Sequence, residues 1–299
     1  MQEPTKAPDK VVSDKAKMPP GLPDPLLLNQ GGRVTSPAVW HRQRRAEILE
    51  HFRKNIYGRA PIERLPAEAL SVKVVETAGM MDGKATRYQA ALTIAGPNGA
   101  HTMKALAFVP TKAARPCPAF LLICNRPVSN IDPTRLTKSP FWPAETMVAR
   151  GYAAVTFQVD DVDPDRPDGY SKGIRSAFDT RRSGDSWGAI GAWAWGASRV
   201  LDWLSSVPAV DAKRVAVIGH SRGGKSSLWC GAQDERFALV VSNDSGCTGA
   251  ALARGKTGES IERINKAFPH WFCENYKAFA EREEELPIMA TRLGASGGG

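Results

Sequence analysis

Arg214-Val215-Ala216-Val217-Ile218-Gly219-His220-Ser221-Arg222-Gly223-Gly224-Lys225 is the stretch from which the rest of this chain can be read. Its apolar, β-branched start predicts a buried parallel strand, and Gly219-x-Ser221-x-Gly223 then fits the nucleophile elbow between a strand and a helix. Glycines two before and two after the serine suit a reversal so sharp that backbone meets backbone with no room for a Cβ. The turn lifts Ser221 above the sheet. It also places the serine at the N-terminus of a helix through Ser226-Ser227-Leu228-Trp229-Cys230. Unsatisfied N–H groups and the helix dipole there favour the negative charge of an acyl-transfer intermediate.

The same residues satisfy a second pattern, because Gly219-x4-Gly224-Lys225-Ser226 matches a phosphate-binding P-loop. Context favours the elbow. A P-loop usually follows the first strand of its domain, whereas several strand-like runs precede this one and 299 − 226 = 73 residues follow. Leu239-Val240-Val241-Ser242-Asn243-Asp244 is a poor match for the strand ending in a Mg²⁺-binding Asp that a P-loop requires. An unreactive serine in a glycine turn is the third alternative.

At 299 residues and 42% hydrophobic content the chain is long enough for one large globular core. A net charge of +9 is compatible with an acidic polymer, nucleic acid or polysaccharide. The basic residues are spread, however. Their one cluster, Arg42, Arg44, Arg45, Arg53, Lys54 and Arg59, reads as a solvated helix face, and without a nucleic-acid motif no nucleic-acid partner is expected. The five cysteines contain no CxxC pair, so neither a metal site nor another cofactor is expected. Cys124 and Cys230 belong to apolar runs, while Cys247 and Cys273 lie in loop-like surroundings and would be able to pair in an oxidising compartment. The longest apolar run near the start, Leu26-Leu27-Leu28, is too short for a signal peptide, and no membrane span is predicted. That pattern fits a cytosolic chain or one numbered from a mature start.

Residues 1–36, rich in proline, predict an extended arm, and residues 37–299 one α/β domain. Ser36-Pro37 opens a helix whose apolar stripe runs through Trp40, Ile48, Leu49 and Phe52, with His41 and His51 on its surface. Leu70–Val75, Ala85–Ile94 and Met103–Val109 alternate as antiparallel strands. Ala119–Cys124 and Tyr152–Phe157 are the continuous apolar runs of a parallel sheet covered on both faces. Together these predict a three-layer sandwich with a mixed, mostly parallel sheet, the α/β-hydrolase fold. The loop Asn125-Arg126-Pro127-Val128-Ser129-Asn130 is placed to donate a second oxyanion N–H. Asp160-Asp161-Val162-Asp163-Pro164-Asp165 reads as a solvated acidic turn, and Trp187–Leu204 as a long helix packed on the sheet. Asp244, 244 − 221 = 23 residues after the serine, leaves the next strand at the catalytic edge. It either orients a histidine or caps a local turn.

Gly219-His220-Ser221-Arg222-Gly223-Gly224-Lys225, Gly231-Ala232-Gln233-Asp234-Glu235-Arg236-Phe237-Ala238, Ser242-Asn243-Asp244-Ser245-Gly246-Cys247 and Phe268-Pro269-His270-Trp271-Phe272-Cys273 together resemble the bacterial glucuronoyl esterases of carbohydrate esterase family 15. The resemblance extends to Trp187–Gly196 and to the arm around Leu22–Leu28. It implies a secreted or periplasmic, monomeric serine hydrolase that cleaves the ester between a xylan glucuronic acid and a lignin alcohol. Carried over by position, Ser221 is the nucleophile, Arg222 the oxyanion donor, Lys225 and Glu259 the sugar-binding pair, and Asp244 the counterpart of a catalytic glutamate, one methylene shorter.

One departure is serious. Family and triad chemistry both call for a histidine on a loop after the last strands, and the residues from Ile288 to Gly299 contain none. The chain therefore reads as C-terminally incomplete, with its last strands missing and its turnover in doubt. Of the histidines present, His270 is the one downstream candidate. An acetyl-xylan-type esterase is the runner-up, opposed by Lys225 and Glu259, since an acetyl group needs no sugar-binding pair. A non-catalytic uronate-binding remnant is the alternative from another class.

Overall fold

A computed structural model of the chain describes residues 23–60, 65–112, 116–179, 181–251 and 258–282. Three long alternating segments, β1 (Leu70–Gly79), β2 (Ala85–Gly96) and β3 (Gly99–Pro110), form an antiparallel meander. Small residues and turns at 80–84 and 97–98 join them. The continuous apolar runs become β4 (Cys117–Cys124), β5 (Ala153–Gln158) and β6 (Val210–His220), with β7 (Leu239–Asn243) beyond. The seven strands form one sheet in the order β1-β2-β3-β5-β4-β6-β7, whose β5-β4-β6-β7 half is parallel. Because β5, β4, β6 and β7 run parallel, their carboxyl ends form one edge where loops gather, and the chain leaves β4 for β5 on one side and returns to β6 on the other.

Side chains alternate across this sheet and feed two cores. The larger takes Leu92, Leu121, Ile123, Val155, Val215 and Val217 and is covered by the tryptophan-rich helix Ala189–Leu204, in which Trp193 and Trp203 are buried. The smaller, on the opposite face, packs Phe108, Leu122 and Trp142 under the short helix Ala144–Ala149. This is the three-layer α/β arrangement expected from the sequence.

The N-terminal helix differs in detail. Ser36 caps it through a 3.3 Å bond from the Val39 N–H, but the helix widens to a π turn over Trp40–Arg44 before resuming at Arg45–Asn55. The described part of the arm is not extended. Residues 23–36 fold back in a small turn, because Arg44 donates to the Pro25 carbonyl at 2.8 Å and Asp24 accepts from the Leu26 N–H at 2.9 Å. Residues 1–22, the rest of the expected arm, and 283–299, where a missing strand and histidine were inferred, lie outside the described residues. The suggested Cys247–Cys273 bond is absent. All five cysteines are separate, buried thiols, Cys247 facing Thr248 and Cys273 donating to the Lys54 carbonyl.

Candidate active site

The elbow is built as its glycines require. A Cβ on Gly219 would sit 2.0 Å from the Gly223 carbonyl oxygen, and one on Gly223 2.9 Å from the Ile123 carbonyl oxygen. Ser221 takes φ 55° and ψ −123°, a sparsely populated backbone state that costs about 1–3 kcal/mol and persists where the surroundings over-determine it. Here they do. Its N–H donates to the Asn243 carbonyl of β7 at 2.9 Å, and its carbonyl receives the Lys225 N–H at 3.0 Å, the first bond of the elbow helix Arg222–Gln233. The free N–H groups of that helix's first turn lie beside the half-buried serine.

Around Ser221 the fold gathers side chains from distant segments. Arg222 pairs with Asp165, and its guanidinium carbon lies 5.0 Å from the Trp271 ring centre and 5.4 Å from that of Phe268. Those two rings stack at 3.8 Å, an interplanar angle of 1° apart. One turn further along the helix, the Lys225 ammonium donates to the Ser245 carbonyl at 2.7 Å and to Glu259 Oε2 at 3.2 Å, 5.8 Å from the Trp271 ring centre. Lys225 is 2% exposed, and burial outweighs Glu259 to hold its ammonium below the ordinary lysine pKa. Glu259 also accepts the Cys247 N–H at 3.0 Å with the same Oε2 while its side chain remains 41% exposed, and among the described residues its second oxygen accepts no bond.

Two residues of this cluster were not assigned roles from sequence. The acidic run was expected to be solvated, but Asp163 is wholly buried against Arg175, and Asp165 enters the site. Asp165 Oδ1 accepts the Trp271 indole N–H at 2.8 Å and pairs with His270 Nε2 at 3.0 Å. Burial raises the Asp165 pKa, but hydrogen bonds from His270, Trp271 and Arg222 overcome that and leave it below the usual carboxylate value. Trp271 lies in Phe268–Cys273, and nothing local in that segment signals that its ring faces both Arg222 and Lys225.

The structure does not bring Asp244 to a histidine. It leaves β7 at φ 48°, exposed, and its carboxylate meets none of the described residues. The five histidines lie elsewhere too. His41 is exposed, and His51 faces Asn55. His101 bonds to the Asp161 carbonyl at 2.7 Å, His220 faces Asn243 at 3.1 Å, and His270 is committed to Asp165. None is bonded to Ser221. No group of residues able to hold a metal ion occurs among the described residues. No described helix is long and apolar enough to cross a membrane.

A family model described as "Glucuronyl esterase, fungi" matches residues 108–296. Carbohydrate esterase MZ0003, from an unknown prokaryotic organism, is 35% identical over 92% of this chain and 70% of its own length. A 4-O-methyl-glucuronoyl methylesterase of Podospora anserina is 28% identical over 89% of this chain, which spans only 51% of it. The solved glucuronoyl esterase from Solibacter usitatus superposes with a TM-score of 0.81 at 36% identity, covering 90% of this chain and 76% of that one.

Proposed function

The chain belongs to the glucuronoyl esterase family, carbohydrate esterase family 15, and we propose that its elbow cluster binds the uronate side of a glucuronoyl ester and cleaves it through Ser221. The observation that carries this reading is the convergence of Ser221, Arg222, Lys225, Glu259 and Trp271 at one sheet edge.

Lys225 and the open oxygen of Glu259 take sugar hydroxyls, and the Trp271 face carries the ring. Ser221 Oγ attacks the ester carbonyl carbon while its proton passes to solvent water, the acceptor left when no histidine reaches it. The carbonyl π electrons move to oxygen, where the Arg222 guanidinium and a helix N–H meet the negative charge, each good donor contributing about 3 kcal/mol. The C–O bond to the alcohol then breaks, the alcohol leaves with a proton, and water releases the acid from the acyl-enzyme. Asp244 is assigned to orient the histidine base. No histidine stands there, so turnover by this chain is set near the level that binding and an oxyanion hole give alone, roughly 10³ over water. Substrates are esters of glucuronate such as those of glucuronoxylan, the site is extracytoplasmic, and a single chain suffices; neither nucleic acid nor membrane is a partner.

A uronate binder without turnover is the second reading, favoured by the absence, among the described residues, of a histidine hydrogen-bonded to Ser221. Parallel assays of methyl glucuronate and acetylated xylose test the substrate assignment. The esterase reading expects cleavage of the first and not the second. The reverse order would return the acetyl-xylan reading, and glucuronate binding with cleavage of neither would establish the binder.

A further inference from the structure

To meet the oxyanion, the Arg222 guanidinium must be aimed before charge develops. Arg222 is 30% exposed and its Nε has no hydrogen-bond partner among the described residues, so beyond its contact with the Phe268 and Trp271 rings its direction is set by what its tip bonds to. Its one hydrogen-bonded anchor among the described residues is Asp165 Oδ2. Asp165 is itself held from the other side. Its Oδ1 receives the Trp271 indole at 2.8 Å and faces His270 at 3.0 Å, from a segment more than a hundred residues away. Two residues upstream, the pair Asp163–Arg175 is 0% and 2% exposed and bridges nothing at the catalytic edge, as a purely internal ion pair would. The Asp165–Arg222 pair instead opens onto that edge.

Resting on the esterase reading, we propose that Asp165 is a positioning residue: it clamps one end of the Arg222 guanidinium so that the remaining N–H groups face the developing oxyanion, while His270 and Trp271 hold Asp165 in place. A guanidinium is a planar fork, and fixing one arm fixes the direction of the others. Donors aimed before the reaction need no reorganisation when charge develops, which is where an oxyanion hole gains its effect. His270 therefore supports Asp165 rather than serving as the base. Its second nitrogen, Nδ1, is buried and has no hydrogen-bond partner among the described residues, Ser221 included.

The test is a double-mutant cycle of Asp165→Asn, Arg222→Ala and the double variant, with kcat and KM for methyl glucuronate and the melting temperature of each. Removing an oxyanion donor outright costs about 10²–10³ in kcat, so a misaimed Arg222 is expected to cost roughly 10–100-fold, with KM within about threefold. The discriminating outcome is non-additivity, read on the rate of Ser221 modification by a neutral fluorophosphonate ester wherever Arg222→Ala brings kcat down to the buffer reaction: in the absence of Arg222, Asp165→Asn should change the rate by less than about twofold. Losses that multiply in the double variant, or a rise in KM at constant kcat, would overturn the proposal. Should Asp165→Asn fail to fold, His270→Gln replaces it, loosening Asp165 while leaving its pair with Arg222. A smaller kcat loss that again vanishes without Arg222 is expected, and a multiplicative one refutes the clamp. If the parent protein leaves methyl glucuronate intact, the proposed function fails on its own. The cycle is then read on the rate at which a neutral fluorophosphonate ester modifies Ser221, since the developing phosphoryl oxyanion calls on the same donor.

Discussion

Lys225→Met separates what the buried lysine does for the ligand from what it does for the fold. The ammonium is 2% exposed and makes a 2.7 Å bond to the Ser245 carbonyl and a 3.2 Å pair with Glu259. Hydrogen bonds from a charged donor contribute about 1.5–3 kcal/mol each, so the gross loss is on the order of 3–6 kcal/mol. Against this stands the desolvation of a buried ammonium, several kcal/mol in effective terms, which methionine avoids at similar volume. Burial outweighs the pull of Glu259 and holds the ammonium below the ordinary lysine pKa, so relief of its desolvation offsets much of the loss. Glu259 also keeps its bond from the Cys247 N–H. Unfolding in urea should change by less than about 2 kcal/mol with an unchanged slope. In contrast, kcat/KM for methyl glucuronate should fall about 10–100-fold, the effect of losing a charged hydrogen bond to a sugar hydroxyl. A destabilisation above about 4 kcal/mol with kcat/KM unchanged would mean that Lys225 is a structural residue and that the sugar lies elsewhere.

Gly219→Ala would place its Cβ 2.0 Å from one backbone oxygen and 2.2 Å from its carbon, so a loss of about 3 kcal/mol or more is expected, against about 1–2 for Gly223→Ala. Equal urea midpoints for the two variants would contradict the elbow geometry. Because the folded pKa of Asp165 is lowered, the stability it contributes is complete above the unfolded carboxylate pKa of about 4 and is lost as pH falls through the folded value. Melting temperature should therefore decline less steeply below about pH 4 in Asp165→Asn than in the parent, and parallel curves would refute the assignment. All five thiols are buried, and burial pushes Cys124 and Cys273 up to about 11. A thiol reagent should label none in the native state and five after denaturation; four would indicate an oxidised or blocked thiol.

The elements legible in sequence were those whose cause is local. Alternation in Ala85–Ile94 and unbroken apolar runs at Ala119–Cys124 reported burial directly, alternation in Leu70–Val75 reported an edge strand whose Val74 and Val75 stay exposed, and the elbow glycines reported a backbone clash between near neighbours. Asp165 was illegible because its role comes from partners 57 and 105 residues away, whereas its neighbours Asp160, Asp161 and Asp163 make the run look solvated. A usable sign was that Arg222, beside an elbow serine, needs a counter-ion to be held still. The arm failed differently: proline content predicts extension, but Asp24 and Arg44 fold residues 23–36 back through bonds that composition does not encode. Asp244 was placed at the right edge, yet no histidine comes to meet it among the described residues.

The central claim is that Ser221 is the nucleophile of a glucuronoyl-ester site. Its most direct test is the rate of benzyl glucuronate hydrolysis by this chain beside Ser221→Ala, both corrected for the reaction in buffer. The account predicts slow hydrolysis by the parent that drops in Ser221→Ala towards the residual, roughly 10³ over water, that binding and an oxyanion hole give alone, while free glucuronate binds both proteins equally. Equal hydrolysis by the two proteins, or glucuronate binding absent from both, would contradict it.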